Sequence, residues 1–396
     1  MVPSSLAGWL IRDHILAVLD NLGRVVGAEF NHEDRPGCTH GTRISLLSTL
    51  LEWARASDSS HVFWLSGMAG TGKTTVMETF CFFLNEENLL GASFFCSKSK
   101  APRRDVHTIF PSIAKTLARK HADFQKRLVE VLDTYSDPLG MNLKDQYKKL
   151  IVDPAEAAFK KDQIIIIAID ALDECEDQEG TEKLLGTILN HKPDIPLRFL
   201  ATSRPERRIR EAFQRRPHSS LRLHDIEDCI VKADIVRYLN HQLRDVPRLK
   251  QKYTSWPPPE IGIIADRAGR LFVYASTIVK YITDEGDPCQ RLERISALQP
   301  FSTIVNESIE SLYKFILSEA FNHLENEEAL RTRSCLSILI STQQPLSVST
   351  YAKLLDTDPD LIRTALQSLH SVIIVPDADD KYISIYHASF QDYLVT

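Results

Sequence analysis

At 396 residues the chain is longer than one ordinary domain, and two or three domains are expected. Its apolar fraction of 43% and charged fraction of 25% are typical of a soluble globular protein with ample material for a core. The formal net charge of −6 argues against non-specific binding to nucleic acid or to an anionic membrane.

The cysteines and the N-terminus indicate the compartment. The seven cysteines are scattered, odd in number and free of C-x-x-C pairs, so they fit neither a disulfide framework nor a zinc site. Charged residues such as Arg12, Asp13 and Asp20 interrupt the N-terminal apolar residues too often for a signal peptide. No apolar run is long enough to span a bilayer. We therefore expect a cytoplasmic protein without a membrane-spanning segment.

A phosphate-binding motif follows an N-terminal extension, which we assign to residues 1–37. Residues 61–75 read HVFWLSGMAGTGKTT and fit the pattern G-x-x-x-x-G-K-[ST]. An apolar run leads into the motif and apolar residues at helical spacing lead out of it, which argues against a chance glycine-rich turn. The residues predicted to contact nucleotide here are Gly67, Gly70, Thr71, Gly72, Lys73, Thr74 and Thr75.

The chemistry of this motif explains its residue types. The glycines let the backbone curl so that its N–H groups point at the β-phosphate, at the positive end of the following helix. Lys73 neutralises charge on the β- and γ-phosphates, and the hydroxyl of Thr74 is placed to ligate Mg²⁺. The motif therefore predicts a site for a nucleoside triphosphate.

Short apolar runs alternate with helical stretches from about residue 60 to 226, which indicates a parallel α/β sheet. The run Ile164–Ile169 has no polar position, so it should be a central strand buried on both faces. The candidate strands are Val62–Ser66, Ala92–Cys96, Ile164–Ile169, Leu197–Thr202 and Leu221–Leu223.

Acidic residues follow the central strand. Asp170 stands at its carboxyl end, at the crevice where open α/β sheets bind ligands, and is positioned to hold Mg²⁺ directly or through water. Asp173 or Glu174 is then predicted to orient the attacking water as general base. The alternative is a helix N-terminus whose acids only complement the helix dipole.

Arginines follow the next strand. Arg204 lies at the same sheet edge, where it could contact the γ-phosphate and report its presence; the alternative is a solvated arginine. The arginines after it indicate an exposed helix face rather than a phosphate or nucleic-acid patch. They are Arg207, Arg208, Arg210, Arg215 and Arg216.

The C-terminal half is predicted to be helical, with a hairpin at its end. The WPPPE stretch at 256–260 interrupts the helical pattern, since consecutive prolines cannot continue a helix. Several helices followed by two short strand-like runs are the layout of a winged helix. The predicted helices are Asp234–Leu243, Ile261–Ala268, Leu271–Ile282, Leu312–Leu324, Leu330–Ser341, Ser349–Leu355 and Asp360–Leu369, and the strands are Val372–Val375 and Tyr382–Tyr386.

Seven sequence motifs together resemble the NACHT-type NTPases of the STAND class, particularly the fungal NOD-like proteins. The resemblance runs from about Cys38 to the C-terminus. It rests on CTHGTR, WLSGMAGTGKTT, GASFFC, IDALDEC, TSRPE, GRLFVYAST and HASFQDYL. It implies a P-loop NTPase domain at 38–227, a helical domain at 228–300 and a winged-helix domain at 301–396.

The resemblance also implies a nucleotide-operated switch with slow hydrolysis. In such proteins bound ADP holds the domains closed, and exchange for NTP allows opening and oligomerisation. By motif, Lys73 and Thr74 serve phosphate and Mg²⁺, Asp170 is the Walker B acid and Arg204 is the sensor arginine. Arg43 is implied to belong to a nucleotide-facing segment. His387 matches a winged-helix histidine that reaches the β-phosphate of bound ADP.

Two departures from the family pattern are visible. Related switches often carry a Gly-x-Pro element that touches the base, but Gly269–Phe272 reads GRLF without proline, which leaves ATP or GTP open as the ligand, with ADP or GDP at rest. Sensor repeats usually follow the winged helix, and none occurs in this sequence. We expect the switch module alone, with nucleotide and other copies of the chain as partners.

Two other functions are considered. A P-loop kinase or phosphotransferase is disfavoured by the ALDEC motif, the helical C-terminal half and the absence of an evident acceptor pocket. A winged-helix, nucleic-acid-binding ATPase needs positive charge. Residues 349–396 instead hold seven acidic side chains against the three basic ones Lys353, Arg363 and Lys381.

Overall fold

A computed structural model describes residues 13–20, 22–23, 25–31, 35–135, 137–190, 197–215, 219–284, 286–298, 305–322, 324–342 and 344–395. The described chain divides into two compact units. The first comprises the stretches up to Cys38, Ile44–Gly67 and Lys73–Leu223. The second comprises Thr39–Arg43, Met68–Gly72 and the chain from His224 onward. The division runs through the phosphate-binding motif, whose central residues group with the second unit.

The first unit is built on a five-stranded parallel sheet. The strands are β1 (Val62–Ser66), β2 (Leu90–Phe95), β3 (Ile165–Asp170), β4 (Leu197–Ser203) and β5 (Ser219–Arg222), in the order β2-β3-β4-β1-β5. Every residue of β1 to β4 is buried, as expected for strands covered on both faces. The predicted parallel P-loop NTPase sheet is confirmed. The five strands lie where the sequence predicts them, with ends displaced by one or two residues.

The strand register brings the polar strand ends together. Asp170 pairs with Phe95 across β3 and β2, while Ser66 at the end of β1 pairs with Ser203 of β4. In a parallel sheet all carboxyl ends meet at one edge, where ligands bind. The end of β1 and the end of β3 therefore lie at the same edge of the first unit.

Helices cover the sheet, and each contributes an apolar face to the core of the first unit. Ile109–Lys120 shows the pattern, because Ile109, Ile113 and Leu117 recur at helical spacing and are all fully buried. Residues 13–20 are also helical. The other helices are Ile44–Arg55, Lys73–Glu86, Ala101–Arg104, Ala122–Thr134, Leu143–Gln146, Asp153–Ala158, Gln178–Asn190 and Arg207–Gln214, with a π-helix at Tyr147–Val152 and 3-10 turns at Val106–Thr108 and Leu172–Glu174.

The second unit is helical and has a core of its own. Two short strands, β6 (Ile373–Ile374) and β7 (Ser384–Ile385), pair antiparallel near its end. The seven predicted helices and the hairpin occur in the predicted order, but Pro247–Lys252, Pro288–Ala297 and Ala388–Val395 were not predicted, and the last of these follows the hairpin. The assignment as a winged helix stays a prediction. None of the described helices is both long and apolar enough to cross a bilayer. The helices are Asp228–Leu243, Pro247–Lys252, Pro259–Ala268, Phe272–Thr283, Pro288–Ala297, Val305–Phe321, Asn326–Ser341, Val348–Leu354, Pro359–Gln367 and Ala388–Val395.

Candidate nucleotide-binding site

The phosphate-binding motif joins the end of β1 to the helix Lys73–Glu86. The backbone N–H of Gly67 donates to the carbonyl of Ser203 at 3.2 Å, which fixes the start of the loop to β4. The Nζ of Lys73 folds back and donates to the carbonyl of Gly67 at 2.8 Å. Lys73 is thereby held at the mouth of the loop, where its sequence role requires it.

Two loop glycines adopt a conformation that other residues avoid. Gly70 and Gly72 have φ angles of 77° and 88°, in the left-handed region that favours glycine. A Cβ added at Gly72 would meet nothing within 4 Å among the described residues. The backbone at Gly72 therefore borders open space, as a loop that receives a phosphate group requires.

Asp170 ends β3 and is nearly inaccessible to solvent, with a relative exposure of 1%. Its Oδ2 accepts a hydrogen bond from the hydroxyl of Thr74 at 2.7 Å, and its Oδ1 accepts one from the hydroxyl of Thr202 at 2.5 Å. Burial raises the pKa of Asp170, and the two hydroxyl donors act in the opposite direction. The structure thus brings the two predicted Mg²⁺ ligands into direct contact.

The oxygen atoms of this pair fit a magnesium ion. Mg²⁺ prefers oxygen ligands, keeps several waters and is usually bound by one or two protein groups together with substrate phosphates. Thr74 offers a hydroxyl oxygen and Asp170 a carboxylate oxygen, and both are ligands that Mg²⁺ accepts. Among the described residues, no cluster of three or more His, Cys, Asp or Glu side chains could hold a metal alone. The pair therefore suits a metal that arrives with a nucleotide.

Asp173 and Arg204 form a buried ion pair. Ala171, with φ of 55°, turns the chain after β3 into the short 3-10 helix Leu172–Glu174. One carboxylate oxygen of Asp173 accepts the backbone N–H of Arg204 at 2.9 Å, and the other lies 3.1 Å from its Nε. The side chains are 5% and 27% exposed, respectively. The two predicted residues are brought together, and Arg204 is not simply a solvated arginine.

Glu174 occupies the other side of this turn. Its Oε2 accepts the backbone N–H of Lys98 at 3.1 Å. Burial raises the pKa of Glu174, with Asp173 and Asp170 adding to the rise. For Lys73, burial lowers the pKa, and the carboxylates of Asp173 and Asp170 oppose that change. Lys73 and the carboxylates of Asp170, Asp173 and Glu174 are therefore close enough to influence one another's pKa.

In the second unit, the centre of the phosphate-binding loop is held through two carbonyls. The backbone N–H of Val273 donates to the carbonyl of Gly70 at 3.0 Å, and the guanidinium of Arg43 donates to that of Thr71 at 2.9 Å. The Arg43 guanidinium also lies 4.6 Å from the ring centre of Phe272, and the residue is 5% exposed. Arg43 is predicted to face nucleotide; here it contacts the loop backbone.

His387 lies just before the helix Ala388–Val395. Its Nδ1 accepts the backbone N–H of Ser389 at 3.1 Å, which leaves the ring proton of a neutral imidazole on Nε2. Its Cε1 lies 3.8 Å from the position that a Cβ would take at Gly70. The histidine and the loop centre are therefore neighbours within the second unit. Thr75, another predicted contact, lies in the first turn of Lys73–Glu86 and accepts a hydrogen bond through its carbonyl from Thr79.

Thr202 is a residue whose role the sequence motifs do not predict. Its hydroxyl donates to Asp170 and accepts the backbone N–H of Ala171 at 2.9 Å, so it fixes both the acid and the turn that follows. A threonine at the end of a fully buried strand was the available signal. Such a hydroxyl needs partners, and the neighbouring strand end supplies them.

Comparison with known proteins agrees with this geometry. Residues 41–204 match the family described as Nephrocystin 3, N-terminal. The fold is similar to that of a STAND signal transduction ATPase with a tetratricopeptide repeat sensor from Pyrococcus horikoshii, at 17% identity and a TM-score of 0.52. The chain therefore has the fold of a P-loop NTPase, and residues 41–204 are similar to the Nephrocystin 3 N-terminal family. The similarity covers 92% of this chain and 44% of that one, so the chain spans less than half of the length of this STAND protein.

Other similarities of the NTPase are more distant. The Caenorhabditis elegans protein PCH-2 is 13% identical with a TM-score of 0.39, over 68% of this chain and 67% of that one. Thermotoga maritima RuvB is 14% identical with a TM-score of 0.33, over 88% and 92% of the two chains. No curated protein matches the sequence.

The substitution Asp170→Asn should stabilise the nucleotide-free protein. Because burial raises the pKa of Asp170, the folded state binds more protons than the unfolded state above the ordinary value of 3.8. The buried charge therefore costs stability as pH rises through that window. Asparagine removes the charge, and with it this loss of stability, and it can still form hydrogen bonds with Thr74 and Thr202. Between about pH 4 and about pH 8, the melting temperature of the variant should increase relative to that of the wild type as pH rises.

Asp123→Asn is the control for that comparison, because Asp123 is exposed on the helix Ala122–Thr134. It should leave the melting profile unchanged. A constant difference between Asp170→Asn and wild type across the pH range would contradict the expected charge effect.

Proposed function

We propose that the chain is a nucleotide-operated switch that binds Mg-NTP, hydrolyses it slowly and couples nucleotide state to opening and self-association. The observation that carries the proposal is the environment of the phosphate-binding loop. Its ends carry Lys73 and the Thr74–Asp170 pair, whereas its central carbonyls at Gly70 and Thr71 accept hydrogen bonds within the second unit. A phosphate group that reshapes this loop would therefore disturb contacts made by both units.

The binding step follows from charge and hydrogen bonding. Lys73 would donate to β- and γ-phosphate oxygens in place of the carbonyl of Gly67, and the loop N–H groups would contribute further donors. The hydroxyl of Thr74 and the carboxylate of Asp170 would hold a Mg²⁺ ion, which would supply positive charge to the phosphate groups. The base contact is unassigned, so ATP and GTP both fit the proposal.

The hydrolysis step is proposed to be slow because the acids are engaged by protein groups. Asp173 is paired with Arg204, and Glu174 accepts the backbone N–H of Lys98. Either acid must exchange its partner for water before it can act as general base. Arg204 must likewise leave Asp173 before it contacts a γ-phosphate. Turnover well below the common enzymatic range of about 1–10³ s⁻¹ is the expected result.

His387 is proposed to report the diphosphate state. Its Nε2 carries the proton of a neutral ring and is thus a donor, and the ring lies beside Gly70. A hydrogen bond from this donor to a β-phosphate oxygen would hold the second unit on bound ADP or GDP. Opening and self-association would then follow the loss of that contact.

The test is the nucleotide that co-purifies with the protein. The wild type should retain ADP or GDP, released by denaturation and identified by chromatography, and should be monomeric in light scattering. His387→Ala should lower the retained fraction by about tenfold or more, because a hydrogen bond to a charged group contributes roughly 1.5–3 kcal/mol. The variant should also self-associate.

The matched control is His107→Ala, at an exposed histidine in the first unit. It should retain nucleotide and remain monomeric. A His387→Ala protein that keeps its nucleotide and stays monomeric would refute the role of His387, and a wild type that binds neither ATP nor GTP would refute the switch itself.

A further inference from the structure

Two cysteine side chains meet beside the acidic turn of the first unit. The Sγ of Cys175 donates a weak hydrogen bond to the Sγ of Cys96 at 3.6 Å. Cys96 follows β2 directly, and Cys175 follows the 3-10 helix Leu172–Glu174. They end the motifs GASFFC and IDALDEC, and neither has a role in the proposed nucleotide chemistry. The fold brings these two motif ends together although 78 residues separate them.

The backbone around the pair is aligned by hydrogen bonds. The N–H of Cys96 donates to the carbonyl of Asp170 at 3.0 Å, and the N–H of Glu176 donates to the carbonyl of Arg104 at 2.9 Å. The backbone N–H of Lys98 bridges to the side chain of Glu174. Each cysteine therefore sits in a segment whose position relative to the other is already fixed. To reach a disulfide length of about 2.05 Å, the two sulfur atoms need to approach each other by less than about 2 Å through rotation of their side chains.

Both thiols are buried, and exposed residues follow each of them closely along the chain. Cys96 is 4% and Cys175 7% exposed. The residues that follow them, Lys98–Lys100 and Glu176–Glu179, are exposed. A small oxidant therefore needs only a local opening of these two segments to reach the sulfur atoms, and the less buried Cys175 is reached first.

We propose that Cys96 and Cys175 form a reversible disulfide under a peroxide oxidant. The Cys175 thiolate attacks one oxygen of hydrogen peroxide, the O–O bond breaks, and a sulfenic acid and hydroxide form. The Cys96 thiol then attacks that sulfur, the S–O bond breaks, and the hydroxyl group leaves as water. In total two thiols lose two electrons and two protons, and one peroxide is reduced to two waters. A dithiol reverses the reaction by exchange.

The environment of Cys96 explains why the pair is a thiol pair at rest. The hydrogen bond from Cys175, together with burial, raises the pKa of the Cys96 thiol well above its ordinary value. Since the thiolate is the reactive form, the closed protein reacts slowly with oxidant.

The disulfide would act on the acidic turn. It would tie the segment after β2 to the end of the turn that carries Asp173 and Glu174, with the contact between Glu174 and Lys98 inside the closed ring. Whichever of the two acids orients water must first leave its present partner. A turn held in its resting position should therefore slow turnover by about tenfold, since small misplacements of catalytic groups have effects of this size or larger. This consequence rests on the proposed NTPase function, whereas disulfide formation does not.

The experiment uses the full chain, reduced and then treated with hydrogen peroxide. Free thiols are blocked with a maleimide, and the protein is digested without reductant for mass spectrometry. A peptide linked through Cys96 and Cys175 should appear, and dithiothreitol should release it. Cys96→Ser and Cys175→Ser should lack it, and Cys229→Ser, a change at an exposed cysteine, should retain it. NTP turnover of the wild type should fall about tenfold on oxidation and recover on reduction.

Each outcome decides the proposal. The absence of the linked peptide from oxidised wild type, or its replacement by linkage of Cys175 to a different cysteine, would overturn it. If a variant fails to fold, the linked peptide found in the wild type is sufficient to test disulfide formation. A linked peptide with unchanged turnover would overturn the effect on the acidic turn. A linked peptide in a protein that never binds nucleotide would refute the proposed function while leaving the disulfide established.

Discussion

Lys73→Met should lower the affinity for Mg-nucleotide by about 100-fold or more, the largest effect expected from one substitution in this chain. The ammonium is buried at the loop mouth, where its hydrogen bond to Gly67 and the carboxylates of Asp170 and Asp173 hold it. A charge-assisted hydrogen bond contributes roughly 1.5–3 kcal/mol, and about 1.4 kcal/mol corresponds to a tenfold change in affinity. Methionine keeps the length of the side chain and removes the charge. Titration with a fluorescent nucleotide measures the change.

Lys183→Met provides the matched control for that titration. Lys183 is exposed on the helix Gln178–Asn190 and pairs with Glu179 one turn earlier, so its removal should change neither affinity nor fold. If Lys73→Met bound nucleotide as the wild type does, the loop would not be the phosphate site, and the proposed switch would lose its basis.

Much of the first unit could be predicted from the sequence because its strands are buried on both faces. The run Ile164–Ile169 has no polar position, which fixes it as a central strand and places Asp170 at the ligand-binding edge. The structure has β3 at Ile165–Asp170 as an interior strand, between β2 and β4. The glycines at 70 and 72 were predicted from the loop pattern, and both adopt positive φ angles. Such features can be predicted because each depends on a short stretch of sequence: the burial of one strand, or the backbone angles of one loop.

Contacts between distant segments could not be predicted in this way. Arg198 lies in the buried strand β4, and its guanidinium donates to the carbonyls of Trp53, Ala54 and Ala56 at the end of the helix Ile44–Arg55. A strand pattern predicts no charge at this position, and it says nothing about which carbonyls would satisfy one. The same limit applies to the cysteine pair. Each motif is visible in the sequence, but their meeting depends on the order of the strands.

Arg43 has contacts that the sequence does not predict, while its role toward nucleotide stays a prediction. The family resemblance places it in a nucleotide-facing segment, and the resting contacts are with the loop carbonyl of Thr71, the ring of Phe272 and, through its own N–H, the carboxylate of Asp234. The Arg43 guanidinium thus holds the loop backbone at Thr71 through a hydrogen bond. Within the second unit, Arg43 and Val273 together hold the loop carbonyls of Thr71 and Gly70 through hydrogen bonds.

Gly70→Ala tests how closely the loop centre packs against Val273, because a Cβ at Gly70 would lie 2.2 Å from Cγ1 of Val273. The positive φ costs about 1–2 kcal/mol for alanine, and the overlap adds about 1–3 kcal/mol, so the nucleotide-free protein should lose about 3 kcal/mol of stability. Gly72→Ala is the matched control, since its φ is also positive but nothing described lies within 4 Å of its Cβ. It should lose only about 1–2 kcal/mol in the same denaturant titration.

The double variant Gly70→Ala with Val273→Ala separates packing from backbone strain. Truncating Val273 removes Cγ1, the atom that the new methyl group would strike most closely, and leaves its Cβ at 2.9 Å. Because most of the overlap is relieved, the double variant should be more stable than the sum of the two single changes predicts. The difference should be about 1–2 kcal/mol, as found for residues in direct contact. Additive losses would mean that the loop and the helix Phe272–Thr283 are not packed together in solution. Coupling of the expected sign would instead show that the Gly70–Val273 contact constrains the loop centre within the second unit.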